Sequence, residues 1–268
     1  MSGGALYPRE FFTLVYKPGG KLAEFVVRTS KEMTDEILQT VSAMNISLLG
    51  AVLSLEGVEG PYNLFLFLDF SQSKRTPADL KKVLLMKEGV NEVTYAVYEA
   101  PGILISRLGY PLMTGFGRCR LVAFGAESLS RAFGDIYDEL GGGGGLLLYA
   151  LGKRVGREMV ETLEREARDV LRGEGLERLF LDFYQASGLG RIKVVEWGLP
   201  QREAIIRVYD NWESWAVRGL RDRPYCFFTR GIFAGMFTEL YDMEIVADER
   251  KCIARGDSFC EFVLRKKP

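Results

Sequence analysis

The apolar positions of this chain follow two periods, and they change places often enough to outline its elements. Lys21 to Thr29 (KLAEFVVRT) alternates and predicts a strand. From Ser30 the period lengthens, with Met33, Ile37, Val41 and Met44 on one helical face. Two apolar runs follow, ISLLGAVLSL and YNLFLFLDF, with EGVEGP between them as a turn. Thr76-Pro77 opens a second helix with proline at its favoured first position, and NEVTYAVYE closes the series as a strand. The order is βαββαβ, the split pattern of ferredoxin-like domains.

Ala100 to Gly117, with four glycines and two prolines, reads as a connector. Beyond it AESLSRAFGDIYDEL predicts a helix, and the glycine run Gly141–Gly145 a flexible joint into a long helix through LLLYALGKRVGREMVETLEREARDVLR. The Gly-Lys-Ser/Thr ending of a phosphate loop is missing there. GLERLFLDFYQASGLG is a further helix, RIKVVEWG and EAIIRVYDNW are strands, and Pro224 to Leu240 is a helix with Gly231 and Gly235 four apart. MEIVADERKC and SFCEFVLRK close the chain as strands around an Ala-Arg-Gly-Asp turn. Gly152 and Gly156 suit close helix packing. The expected class is α+β, with domains at 1–105 and 119–268 joined by a linker at 106–118.

Composition narrows the chemistry. Histidine is absent, which removes Ser-His-Asp and Cys-His catalysis and most catalytic zinc sites. The 35 basic and 36 acidic residues nearly cancel, so no global field draws nucleic acid. No run is long and apolar enough for a membrane span, and MSGGALYPRE lacks a signal-peptide layout, so a cytoplasmic protein is expected.

Three of the four cysteines fall near the end, in the spacing Cys226–x22–Glu249–x2–Cys252–x7–Cys260. Clustered cysteines in such a chain are more often metal ligands than disulfides. A hairpin places Cys252 and Cys260 on neighbouring strands, Cys226 comes from the start of a helix, and Glu249 reaches the same point if its strand bends. Three soft thiolates favour zinc over magnesium or calcium, and four protein ligands leave no position for a reactive water. Three buried structural cysteines, or an iron–sulfur cluster, are the competing readings. Cys119 stands alone and is expected buried and inert.

Residues 20–100, with Gly89, Val90 and Val93 in the last strand, resemble the ACT family of regulatory domains. That family binds amino acids at a glycine-containing loop after its first strand; RTSKEMTD has no glycine. From Cys119 to Lys267 the chain resembles the 4-vinyl reductase domain, related in fold to small TRAPP tethering subunits and to the sensory part of phenol- and xylene-responsive activators. The Gly256, Cys260, Phe262 ending fits that family. The resemblance implies a structural zinc held by Cys226, Glu249, Cys252 and Cys260, beside a pocket for a small apolar or aromatic ligand. Trp197, Tyr209, Trp212, Tyr225, Phe228 and Phe233 are the candidate lining residues. It implies a non-catalytic, homodimeric ligand sensor acting through a partner regulatory protein. A TRAPP-type scaffold, or an accessory in tetrapyrrole vinyl reduction, is the alternative.

Overall fold

A computed structural model describes residues 13–55, 61–98, 101–114, 119–167 and 176–268. The N-terminal decapeptide, most of the EGVEGP turn, the end of the long helix (168–172), and Ala100 and 115–117 of the expected connector lie outside the described residues. The chain divides into two compact units, residues 1–122 and 123–268. Both mix helix with antiparallel sheet.

The first unit runs β1 (Leu14–Tyr16), β2 (Leu22–Thr29), α1 (Thr34–Ala43), β3 (Ser47–Leu55), β4 (Tyr62–Asp69), α2 (Pro77–Leu85), β5 (Val90–Val97), β6 (Ile103–Ile105), β7 (Met113–Thr114) and β8 (Cys119–Arg120). The main sheet has the order β3-β4-β2-β5, antiparallel throughout. Alternation along β2 sends Ala23, Phe25 and Val27 into a core with Ile37 and Val41 of α1 and Leu80 and Leu84 of α2. The second helix starts at a capping box, Thr76 and Asp79 each serving the other's backbone amide.

The expected connector is partly structured. β6 pairs with β1, and Leu104 is buried beneath it against Leu22 and Phe67. The carboxylate of Glu24, buried on the same sheet face, accepts from Ser106 Oγ at 2.6 Å and from the amides of Arg107 and Leu108. The glycines and prolines around Ile103–Ile105 hide a strand too short to show a period. Cys119, expected buried, is half-buried in β8.

The second unit runs α3 (Ala126–Leu140), α4 (Gly142–Ala167), α5 (Leu176–Ala186), β9 (Arg191–Trp197), β10 (Ala204–Tyr209), α6 (Trp212–Trp215), α7 (Phe227–Tyr241), β11 (Ile245–Lys251) and β12 (Cys260–Lys266). Its sheet order is β11-β12-β10-β9, antiparallel, with α7 packed on the inner face. Helix α7 is apolar on every side and largely buried, as a central helix should be. It meets α4 backbone to backbone. A Cβ on Gly152 or Gly156 would strike the carbonyls of Phe228 and Ile232, and one on Gly231 or Gly235 those of Tyr149 and Lys153.

The glycine run is not a flexible joint. Only Gly141, at positive φ, breaks the helix; Gly142 to Gly145 are the first turn of α4. Gly144 and Gly145 leave room there for the Ile136 carbonyl and the Phe227 ring, and that packing outweighs glycine's poor helix propensity.

Candidate metal centre

Three local features of the second unit bring Cys226, Glu249, Cys252 and Cys260 to one buried point. Cys226 caps the N-terminus of α7. Cys252 follows β11 and leads into a short 3₁₀ turn, which Gly256 closes at φ +97°, and Cys260 begins β12. On a regular strand Glu249 and Cys252, three apart, would face opposite sides. They do not, because the pairing of β11 with β12 shifts register between Glu249 and Lys251, a bulge that swings Arg250 outward. Ile245, Ala247 and Glu249 keep the inward parity before it, and Cys252 resumes it after.

One donor atom from each of the four residues lies within 4.8 Å of all the others. The Cys226 sulfur is 3.8 Å from that of Cys252 and 3.6 Å from that of Cys260. Glu249 Oε2 accepts from the Cys226 amide at 2.9 Å, whereas its Oε1 is buried without a hydrogen-bond partner among the described residues. A buried orphan carboxylate oxygen beside three sulfurs is costly unless a cation takes it up. The donor set, soft with one hard oxygen, therefore fits zinc.

The electrostatics agree. Burial pushes the Cys226 thiol and the Glu249 carboxyl well above their ordinary values, and neighbouring donors add to the push. Burial also opposes ionisation of Cys260, but hydrogen bonds from Cys226 and Cys252 outweigh it and hold that thiol down to about 5. A divalent cation reverses this preference by stabilising all four deprotonated forms at once.

The surrounding shell comes mainly from one turn of chain. Asn211 Nδ2 donates to the Cys226 sulfur at 3.2 Å, and Ser214 Oγ lies 3.4 Å from the Cys260 sulfur. Asn211 Oδ1 in turn accepts from Tyr184 and Thr229 hydroxyls. Between them Glu213, fully buried, accepts from the first free amides of α7, Phe228 N at 2.9 Å and Thr229 N at 2.7 Å. Burial raises its carboxyl to about 7, against the lowering effect of those amides. Asp257 holds the Cys252 amide at 2.8 Å, and the Ile253 amide points at the Cys260 sulfur. In the sequence Asn211–Glu213 reads only as a turn; a polar triplet directly after an apolar strand is the one available signal of its role.

The six candidate ligand residues are not all neighbours. Trp212 and Phe228 come together with Phe133 of α3, at ring separations of 5.2 to 5.7 Å. Trp212 is buried, and its Nε1 has no partner among the described residues. Tyr225 packs on Tyr137 and donates to the Ser130 carbonyl. Phe233 is core, between Tyr184 and Phe262. Trp197 lies against Phe237, toward the other end of α7. Tyr209 sits on the outer sheet face beside Phe259 and the Arg191 guanidinium. In the first unit, a cleft of about 390 Å³ is lined by Thr29, Ser30, Lys31, Tyr62, Gly89 and Asn91, where β2 leads toward α1.

Residues 208–266 match the vinyl-4-reductase (4VR) domain. This 4VR segment runs from the last turn of β10 to the end of β12 and contains all four donors together with Asn211–Ser214. An uncharacterized protein of Methanocaldococcus jannaschii is 31% identical over 80 residues, 30% of this chain and 41% of the relative. The chain spans between 41% and 63% of the lengths of the curated relatives it matches. Among solved structures, the phenol-responsive sensory domain of the transcription activator PoxR with phenol is 17% identical, covering 56% of this chain and 79% of its own, with a TM-score of 0.48. A trafficking protein particle complex subunit 3 from Naegleria fowleri, covalently bound to palmitic acid, is 18% identical over 53% of this chain and 95% of its own, TM-score 0.40. A vinyl-4-reductase family protein from Methanocaldococcus jannaschii is 18% identical over 55% of this chain and 85% of its own, TM-score 0.38. Among the described residues no helix is long and apolar enough to cross a membrane.

Proposed function

We propose that the protein is a non-catalytic, small-molecule-binding regulator whose 4VR segment is stapled by one structural zinc ion on Cys226, Glu249, Cys252 and Cys260. The observation that carries this reading is the four-donor cluster with Glu249 Oε1 buried and unpartnered. Bound zinc supplies coordination that ties the α7 N-terminus to the β11–β12 hairpin. Three thiolates and a carboxylate complete a tetrahedral shell, which leaves no place for an activated water and favours a structural role.

The ligand reading rests on Trp212. A buried indole N–H without a partner, ringed by Phe133 and Phe228, suits a small aromatic or apolar molecule carrying one acceptor. The first unit, with its βαββαβ order and β3-β4-β2-β5 sheet, supports a ferredoxin-like, ACT-type module as the route to a homodimer or a partner regulatory protein. We place the protein in the cytoplasm, where the thiols stay reduced.

A second reading, a scaffold or tether of TRAPP type, is favoured by Leu146, Leu147 and Leu151, exposed together on α4 near exposed Leu140. An accessory role in tetrapyrrole vinyl reduction stays behind both, for want of a hydride-carrier motif in the sequence.

Metal analysis of the purified full chain, with native mass spectrometry, tests the proposal. The expected result is about one zinc per chain, lost in Cys252→Ser and Cys260→Ser together with much of the thermal stability. A colourless wild type with no bound metal would overturn it, and brown colour with bound iron would replace zinc by a cluster.

A further inference from the structure

The segment Asn211–Ser214 faces two places at once. Its flanking members reach the metal centre: Asn211 Nδ2 donates to the Cys226 sulfur, and Ser214 Oγ meets the Cys260 sulfur. Its second residue, Trp212, points instead into the aromatic cluster, 5.4 Å from Phe133 and 5.7 Å from Phe228. The third, Glu213, closes the circuit by holding the first amides of α7, the helix that presents both Cys226 and Phe228. Ser130 of α3, one turn before Phe133, donates to the Glu213 carbonyl at 2.7 Å.

We infer that Asn211–Ser214 is a positioning segment that couples packing in the Phe133–Trp212–Phe228 cluster to the thiolates of the metal centre. The physical argument is short. Three thiolates and a carboxylate carry more negative charge than a divalent ion neutralises, so donors to sulfur set how firmly the ion is held. Asn211 and Ser214 supply two such donors. Trp212 lies between them in a single helical turn, so a displacement of its ring is passed to both through a backbone with little slack. A molecule that moved Trp212 would change metal retention, and by linkage the metal would change that molecule's affinity. This inference rests on the metal reading proposed above.

The test uses cobalt(II) in place of zinc in the full chain, reading the sulfur-to-cobalt charge-transfer band and the rate of metal release to a chelator. Ser214→Ala removes one sulfur donor directly. Phe133→Leu changes only the aromatic cluster. Phe237→Leu, at the far half of α7 against Trp197, loosens the same core without touching the segment. The expected result is a shifted band and release faster by roughly 10-fold in Ser214→Ala and Phe133→Leu, with the band unmoved in Phe237→Leu. A Phe133→Leu protein identical to wild type, or a Phe237→Leu protein shifted just as far, overturns the coupling and leaves the metal centre standing. A wild type that takes up no cobalt removes the centre itself, and the coupling with it.

Discussion

Glu249 and Cys226 share one carboxylate oxygen and leave the other free: Oε2 accepts the Cys226 amide hydrogen at 2.9 Å, while Oε1 is buried with no partner among the described residues. Glutamine would keep the first contact through its amide oxygen but lose the charge that a cation needs. Glu249→Gln is therefore expected to fold and to release zinc to a chelator faster than the ~10–100-fold acceleration typical of outer-shell changes. Unchanged release kinetics would count against Glu249 as a ligand.

The bulge at Arg250 makes a second prediction. Deleting Arg250 restores regular pairing and turns Glu249 and Cys252 to opposite faces, although every donor is still present in the chain. The expected outcome is a folded protein whose metal content falls well below that of wild type, with strand content unchanged by circular dichroism. Full metal retention would show that the hairpin can re-form the bulge elsewhere.

Two glycines on α4 and α7 predict opposite signs. Gly235→Ala drives a methyl into the Lys153 carbonyl and should destabilise by about 1–3 kcal/mol. Gly143, helical with nothing within 4 Å of an added Cβ, should gain about 0.5–1 kcal/mol as alanine. Urea midpoints of the two variants check both.

Glu213 predicts a pH dependence. Its carboxyl sits near 7 when folded against an ordinary 4.5, so between those values the folded state keeps a proton that the unfolded state has released. Its contribution to stability is full below the unfolded value and is lost as pH rises through the folded one. Glu213→Gln removes this slope. The melting temperatures of wild type and variant, followed from about pH 5 to 8, should therefore converge as pH rises; parallel profiles would refute the assignment.

Much of this was legible in the sequence because the signals were periodic or clustered. KLAEFVVRT, RIKVVEWG and SFCEFVLRK show their alternation, and each contains a strand. Cys226, Glu249, Cys252 and Cys260 announce a shared chemistry by residue type, and the structure brings them together. What stayed hidden depends on partners far along the chain or on single residues. Ile103–Ile105 is a strand only because Leu14–Tyr16 pairs with it. The bend that lets Glu249 reach the cysteines is one extra residue, invisible to any period. Asn211 and Ser214 look like ordinary turn residues until α7 sets their sulfur partners beside them. The aromatics showed the reverse: residue type suggested one chamber, yet Trp197, Tyr209 and Trp212 lie in three places.

The seam between α4 and α7 has a consequence beyond stability. With glycine at 152, 156, 231 and 235, no side chain sits between the two backbones, so α7 has no cushion along which to slide. Cys226 stands at the end of that helix. The height at which its sulfur meets the hairpin is thus gauged by four missing side chains, none of which comes near the donors they align.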